Sequence, residues 1–326
     1  MVKKRRKDIG DDFMSKRKIV LVGTGFVGMS FAYSILNQGG INELVLIDAL
    51  KEKAEGEALD LSHGLAYSPN SMKIKYGDYN DCHDADIVVI TAGIAQKPGQ
   101  TRLELVETNS KIAKDITKSI MKSGFNGIIV VATNPVDIIT YVVQKTSKLD
   151  PSKVIGTGTM LDTARLKCII GEELDVNPVS INAIVMGEHG DTSFVPWEYC
   201  TIGCKNVLEI AKQNNKTLDD LDLIRNDVKN AAYEIIEKKK ATYYGIGMAI
   251  TKLVKAILND EKTILPVSVY LNGKYNEEDV YVSVPAIVTG SGVRELVELD
   301  LSEDDQKKLD NSCNISSCQS HIGVLT

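Results

Sequence analysis

"KIVLVGTGFVGMS", residues 18–30, decides the fold. Its first part is short, apolar and β-branched, the pattern of a strand buried on both faces. Gly23, Gly25 and Gly28 then fall in G-x-G-x-x-G spacing before a helical pattern through Met29 to Gln38. Glycines at that junction allow a tight turn, close approach of a ligand to the backbone, and contact between helix and strand. Alone the spacing says little, because strand-to-helix turns use glycine anyway. The next strand, "ELVLID", gives it meaning, for it closes on Asp48, twenty residues after Gly28. A carboxylate there can accept hydrogen bonds from an adenosine ribose and repels a 2′-phosphate. The two features together predict a dinucleotide site for NAD in preference to NADP. The pyrophosphate would lie on the helix N-terminus after Gly25, where free N–H groups and the helix dipole favour negative charge.

Outward from this stretch, β-rich and helical runs alternate from Lys18 to about Gly158: a helix through Glu52 to Leu61, "KIKYG", "DIVVIT", a helix through Leu103 to Lys122, and "GIIVVAT". Such alternation predicts βαβ units, hence an α/β Rossmann-type doubly wound parallel sheet over residues 18–158. From 159 to 326 the pattern changes to a helix, the apolar "SINAIVMG", amphipathic stretches from Thr217 to Ala256, and "TILPVSVYLNGKY" with an expected hairpin turn at Asn272 and Gly273. This part reads as an α+β substrate domain. Residues 1–17 are expected to be a disordered extension, with Met14 a second plausible start, and "CNISSCQSHIGVLT" at the other end reads as a polar tail.

Acidic residues outnumber basic ones, 44 to 38, for a net charge of −6, which speaks against general nucleic-acid binding. The basic "KKRRK" at Lys3 to Lys7 reads as a solvated arm. No apolar run approaches the ~20 residues of a membrane span and no signal-peptide pattern precedes the first strand, so no membrane association and a cytoplasmic protein are expected. Six scattered cysteines do not make a disulfide framework, and without histidines at ligand spacing they do not make a metal site; free thiols are expected.

Four histidines are present: His63, His83, His189 and His321. His189 stands apart, in the glycine-flanked loop "MGEHGDTS" that directly follows an apolar strand. In "LDTARLK", Asp162 and Arg165 lie three apart on a helix and project to one face. They could form an ordinary surface ion pair. Equally, the acid could hold a histidine while the planar guanidinium grips a carboxylate; spacing does not choose. "VATNPVD" ends a strand in Asn134-Pro135, which puts Asn134 at the carboxyl edge of the sheet, where open α/β folds bind ligands. "AGIAQKPGQTR", residues 92–102, leaves the same edge, and its glycines and proline suit a lid.

In their order and spacing, "VGTGFVG", "AGIAQKPGQTR", "VATNPVD", "LDTARLK" and "GEHGDT" resemble the L-lactate and malate dehydrogenase family, from about Lys18 to near Asp300. The resemblance implies an NAD-dependent L-2-hydroxy acid dehydrogenase in which His189 is the acid/base, Asp162 its carboxylate partner, Arg165 the substrate-carboxylate ligand, and Arg102 a lid residue that polarises the carbonyl. It assigns cofactor contacts to Val27, Lys53, Tyr79, Gly93, Ile94, Thr157 and Ala132, Thr133 and Asn134, with Ile94 replacing the family's commoner alanine. Thr242 falls beside the substrate and nicotinamide.

Gln96 falls on the lid over the end of the substrate away from Arg165. Family members acting on oxaloacetate carry arginine there; a neutral glutamine suits the methyl group of pyruvate. Reversible reduction of pyruvate is therefore the expected activity, with malate or a broader range of L-2-hydroxy acids as the alternative. A regulatory NAD-binding protein that kept the fold and lost the chemistry is the non-enzyme alternative, and the full set of His189, Asp162, Arg165 and Arg102 argues against it. The resemblance also implies a homotetramer. Many bacterial members bind fructose 1,6-bisphosphate through an arginine and a histidine; Lys167 and Asn182 stand there instead, which makes such activation doubtful.

Overall fold

The computed structural model describes residues 16–94 and 102–325. Six parallel strands build the first half: β1 (Lys18–Val22), β2 (Glu43–Ile47), β3 (Lys73–Tyr76), β4 (Ile87–Ile90), β5 (Ile128–Val131) and β6 (Val154–Gly156). They stand in the order 3-2-1-4-5-6, the dinucleotide-binding order, whose switch point lies between β1 and β4. Alternation along each strand divides the core. Ile19 and Leu21 face one layer, and Val20 and Val22 face the other.

The helices α1 (Phe26–Gln38), α2 (Lys51–Gly64), α3 (Arg102–Lys122) and α4 (Val136–Ser147) cover the two faces. In α3, Val106, Asn109, Ala113, Ile116 and Ile120 recur at helical spacing and are buried. Behind β5, α4 is apolar on nearly all sides because it is sandwiched, and Asp137 is buried with it.

The second half supplies α5 (Met160–Leu174), a small antiparallel sheet of β7 (Ile181–Asn182), β8 (Thr201–Ile202) and β9 (Lys205–Asn206), α6 (Val207–Gln213), α7 (Leu218–Lys239) and α8 (Tyr244–Leu258). The apolar "SINAIVMG" is strand for only two residues, with Met186 bridging Phe194 beyond it. Next come β10 (Thr263–Lys274), β11 (Glu277–Thr289), β12 (Gly292–Leu296) and α9 (Glu303–Leu325). The hairpin of β10 and β11 does not stand apart. Ser268 of β10 pairs with Gly156 of β6, so among the described residues one nine-stranded sheet runs through both halves.

Two local expectations fail for identifiable reasons. The hairpin turns at Tyr275 and Asn276, with φ of 55° and 61°, while Asn272 and Gly273 sit in an irregularity within β10. Tertiary contacts favour that register. Tyr275 is buried, and its hydroxyl donates to Val297 O at 3.3 Å and accepts from Leu299 N at 3.0 Å. The polar tail is in fact the end of α9. Ser312, Ser316 and Ser320 form a fully buried stripe, small enough for close approach, and the Ser312 and Ser316 hydroxyls donate to the backbone of Thr192 and Tyr281.

Candidate active site

The site lies where β1, β4, β5 and β6 end. On the cofactor side the glycines have separate physical tasks. Gly23 has φ of 105°, and a Cβ there would lie 2.6 Å from Ala92 N. A Cβ on Gly28 would lie 2.1 Å from Gly23 O, so α1 can approach the turn only with glycine. At Gly25, by contrast, a Cβ would meet nothing within 4 Å. That open space faces the first turn of α1, which has no side-chain cap and no acidic residue, so its N–H groups are available to an anion. A cradle, open space and uncapped donors together fit a pyrophosphate.

Asp48 follows β2 directly. Its Oδ2 accepts from Thr24 N and Thr24 Oγ1, both at 2.8 Å, and its Oδ1 accepts from Leu50 N at 3.0 Å. Burial works against its charge, but the hydrogen bonds from Leu50 and Thr24, with Lys53 nearby, outweigh it and hold the carboxyl below its ordinary range. A carboxyl favoured in its ionised form has only acceptors to offer, which suits the hydroxyls of a ribose. Lys53 is exposed on α2; Tyr79 is half-buried against the core.

Val27, Ala132, Asn134 and Thr157 line one cavity of about 280 Å³ together with Asp162, Arg165, His189 and Thr242. This joins residues from both halves of the chain. The side chain of Thr133 is buried instead, donating to Ala92 O at 2.9 Å and so fixing the exit of β4. Gly93 packs under it, where a Cβ would come within 2.5 Å of Thr133 Cγ2. Ile94 is 38% exposed. Gln96 lies outside the described residues, and of Arg102 only its position at the start of α3 is described.

His189 Nδ1 lies 2.6 Å from Asp162 Oδ2, and Arg165 Nη1 donates to Asp162 Oδ1 at 2.9 Å. The i,i+3 pair therefore forms, though largely buried and not at the surface, and the same carboxylate also takes the histidine. The three side chains are only 26%, 14% and 13% exposed for His189, Asp162 and Arg165, so the pairing is little screened. Burial opposes a charge on His189, but the charge and hydrogen bond of Asp162, with the charge of Asp137, outweigh it and raise the imidazole above its ordinary value. Burial likewise opposes ionised Asp162, yet His189 and then Arg165 hold it below its usual range. With Nδ1 committed to a carboxylate, Nε2 is the ring nitrogen left for a substrate.

Several residues escaped the sequence reading. Asn109, 1% exposed on α3, donates to Ile94 O at 3.2 Å and Asn134 O at 2.8 Å and accepts from Ile94 N at 2.9 Å, clamping Ile94 to the Asn134-Pro135 turn, whose peptide bond is cis. From α7, Arg225 and Lys229 reach the cavity wall, Lys229 paired with Asp191 at 2.6 Å. Asp137 accepts from the His189 backbone N at 2.7 Å. The only signal for it was an acid set in the apolar "VDIITYVV", and an acid in the first turn of a helix usually faces solvent. Lys167 and Asn182 lie away from the cavity, half-buried on α5 and exposed on β7 respectively. Among the described residues there is no cluster that could hold a metal ion, and no helix is long and apolar enough to cross a membrane.

A dinucleotide cradle opening onto a histidine–aspartate pair and an arginine defines an NAD-dependent dehydrogenase. The chain belongs to the lactate/malate dehydrogenase family, whose NAD binding domain matches residues 17–156 and whose alpha/beta C-terminal domain matches residues 159–315. It is 53% identical over 300 residues to an L-lactate dehydrogenase of Lactococcus lactis subsp. cremoris, a match covering 92% of this chain and 96% of that protein. It is also 53% identical over 299 residues to L-lactate dehydrogenase 2 of Bacillus cereus, covering 91% and 95%. Among solved structures, a lactate dehydrogenase from a Medee basin deep-sea metagenome library superposes with a TM-score of 0.92 at 50% identity, over 95% of this chain and 99% of that one. The minor L-lactate dehydrogenase of Enterococcus mundtii, in its ligands-bound form, also gives 0.92 at 50% identity, over 94% and 98%.

Proposed function

We propose that the protein is an L-lactate dehydrogenase that reversibly reduces pyruvate to L-lactate with NADH. The observation that carries the reading is the contact of His189 Nδ1 with Asp162 Oδ2 at 2.6 Å, in a cavity shared with Arg165 and the cofactor-side residues Val27, Ala132, Asn134 and Thr157. NADH, when bound, supplies the hydride that C2 of the 2-oxo acid takes up. Arg165 holds the substrate carboxylate, which fixes the face of the carbonyl presented to the cofactor. Protonated His189 gives the Nε2 proton to the oxygen as it becomes an alkoxide, while Asp162 stabilises the imidazolium and orients the ring. Arg102, brought in by the lid, polarises the carbonyl, and Gln96 meets the substrate's methyl end.

The raised titration of His189 sets the pH dependence. Reduction needs the imidazolium, so it proceeds below that pKa and is lost as pH rises through it; oxidation of lactate needs the neutral ring and shows the opposite dependence. The same reading expects a homotetramer in the cytoplasm that regenerates NAD⁺ for glycolysis under fermentation, to be checked by sedimentation and cell fractionation. NADH oxidation followed with pyruvate, oxaloacetate and a branched 2-oxo acid in parallel tests the activity. Turnover of oxaloacetate as efficient as that of pyruvate would transfer the reading to malate, and turnover of none would end it.

A further inference from the structure

We infer that Asp137, a residue outside the His189–Asp162–Arg165 set, is a positioning residue for the acid/base: its buried carboxylate holds the backbone of His189 and places a second negative charge behind the imidazole. The inference rests on His189 being the acid/base. Asp137 is the second residue of α4 and only 2% exposed. Its Oδ2 accepts from His189 N at 2.7 Å and its Oδ1 from Ser268 Oγ at 2.5 Å. The carboxylate thus joins three elements distant in sequence: the helix after the Asn134-Pro135 turn, the strand β10 where it meets β6, and the loop of residues 187–190. Gly156 is required at that junction, since a Cβ there would lie 2.8 Å from Ser268 Cβ.

A neutral acceptor could hold an N–H group, so the choice of an acid has a further consequence. Desolvating a carboxylate is costly, and the cost is offset where the charge acts on something. Among the described residues, the charged groups near the imidazole are Asp162 and Arg165 from α5, Asp137 from α4, the buried Glu188 next to His189 in the loop, whose Oε2 accepts from Thr192 Oγ1, and, on the cavity wall, Arg225 and Lys229 from α7 with Asp191 paired to Lys229. Asp162 acts on the ring at Nδ1 and Asp137 on the backbone N, so the two acids hold His189 at different atoms. Both favour the imidazolium; Arg165 disfavours it.

Asp137→Asn separates the two tasks. The amide oxygen still accepts from His189 N, and its NH₂ can donate to the Ser268 hydroxyl, so the geometry is kept while the charge is lost. The profiles of kcat/KM against pH for pyruvate reduction and for lactate oxidation are measured on the full-length native and variant enzymes. The midpoint is expected to move to lower pH in both directions. Well above the midpoint, reduction then falls by the same factor by which oxidation rises well below it, because a single group controls both. Equal loss in both directions with an unmoved midpoint would make Asp137 merely structural and overturn the inference. Should the asparagine variant fail to fold, Asp137→Ser removes the same charge and is read in the same way; failure of both to fold also overturns it. A native enzyme without any titration midpoint in this reaction would instead tell against His189 as the acid/base.

Discussion

At the scale of single residues, the proposed chemistry rests on a few side chains whose loss should be separable from cofactor binding. His189→Asn removes the proton donor but touches neither the Gly23–Gly28 cradle nor Asp48, so turnover should fall by at least the ~10²–10⁴ of general acid catalysis with NADH affinity nearly unchanged. Stopped-flow turnover and fluorescence titration of NADH measure the two, and near-native turnover would remove His189 from its role. Gln96 is expected to decide specificity. A second carboxylate closed under a neutral glutamine would be buried without a counter-charge, which costs on the order of 3–5 kcal/mol by analogy with broken buried ion pairs. We therefore expect at least ~100-fold preference for pyruvate over oxaloacetate in kcat/KM, inverted by Gln96→Arg with cofactor choice unaltered. How much of this was legible differs by residue. His189 was visible because a glycine-flanked loop after an apolar strand is an unusual place for a histidine. Its contact with Asp162 was not, because the two are 27 residues apart and only the fold brings them together. Asp137 and Asn109 were passed over because acids and amides in helices usually face solvent, and here packing places them inside.

At the scale of elements, α3 and the turn before α4 depend on Asn109. One amide side chain satisfies both backbone groups of Ile94 and the carbonyl of Asn134. Asn109→Ala would remove these part-buried hydrogen bonds, at about 0.5–1.5 kcal/mol for each. A lower melting temperature together with a reduced kcat is expected, since the clamp fixes the base of the segment that carries Gln96. A variant with lowered stability and unchanged kcat would show that the clamp serves folding alone. The parallel strands could be read directly from their apolar runs, because a sheet buried on both faces leaves little choice of residue. The hairpin turn and α9 could not. Asn-Gly is a strong local turn signal, yet the burial of Tyr275 moves the turn from Asn272 and Gly273 to Tyr275 and Asn276. Polarity suggested an exposed tail, but serines that donate to backbone carbonyls can be buried as readily as alanines. Local rules failed where tertiary contacts supplied the missing partners.

Over the whole molecule, the question is how one site is joined to other copies and to effectors. Along α1 and α8, Phe26, Tyr33, Tyr244 and Met248 are 72%, 63%, 68% and 55% exposed, and large apolar side chains exposed together suit contact with another copy. Association through this face is expected to give a sedimentation mass that is a multiple of 35.6 kDa, and Met248→Asp with Tyr244→Asp to lower it. The effector is a separate matter, because Lys167 and Asn182 do not line the catalytic cavity. A sugar bisphosphate needs concentrated positive charge. Burial lowers the pKa of Lys167, only partly offset by Cys200, so its cation is held less firmly than a surface lysine's. Asn182 is exposed and has no charge to offer. Arginine would give a planar fork with permanent charge, and histidine a second cation, where this chain has a point charge and a neutral amide. Fructose 1,6-bisphosphate is therefore expected to change the pyruvate KM by much less than the ~5–150-fold of ordinary allosteric coupling. The pair Lys167→Arg with Asn182→His should create a response, and one that weakens with added salt, as phosphate contacts near the surface do. Pyruvate saturation curves with and without the sugar, for both proteins, decide it. Strong activation of the unmodified enzyme would mean that cations other than Lys167 hold the phosphates.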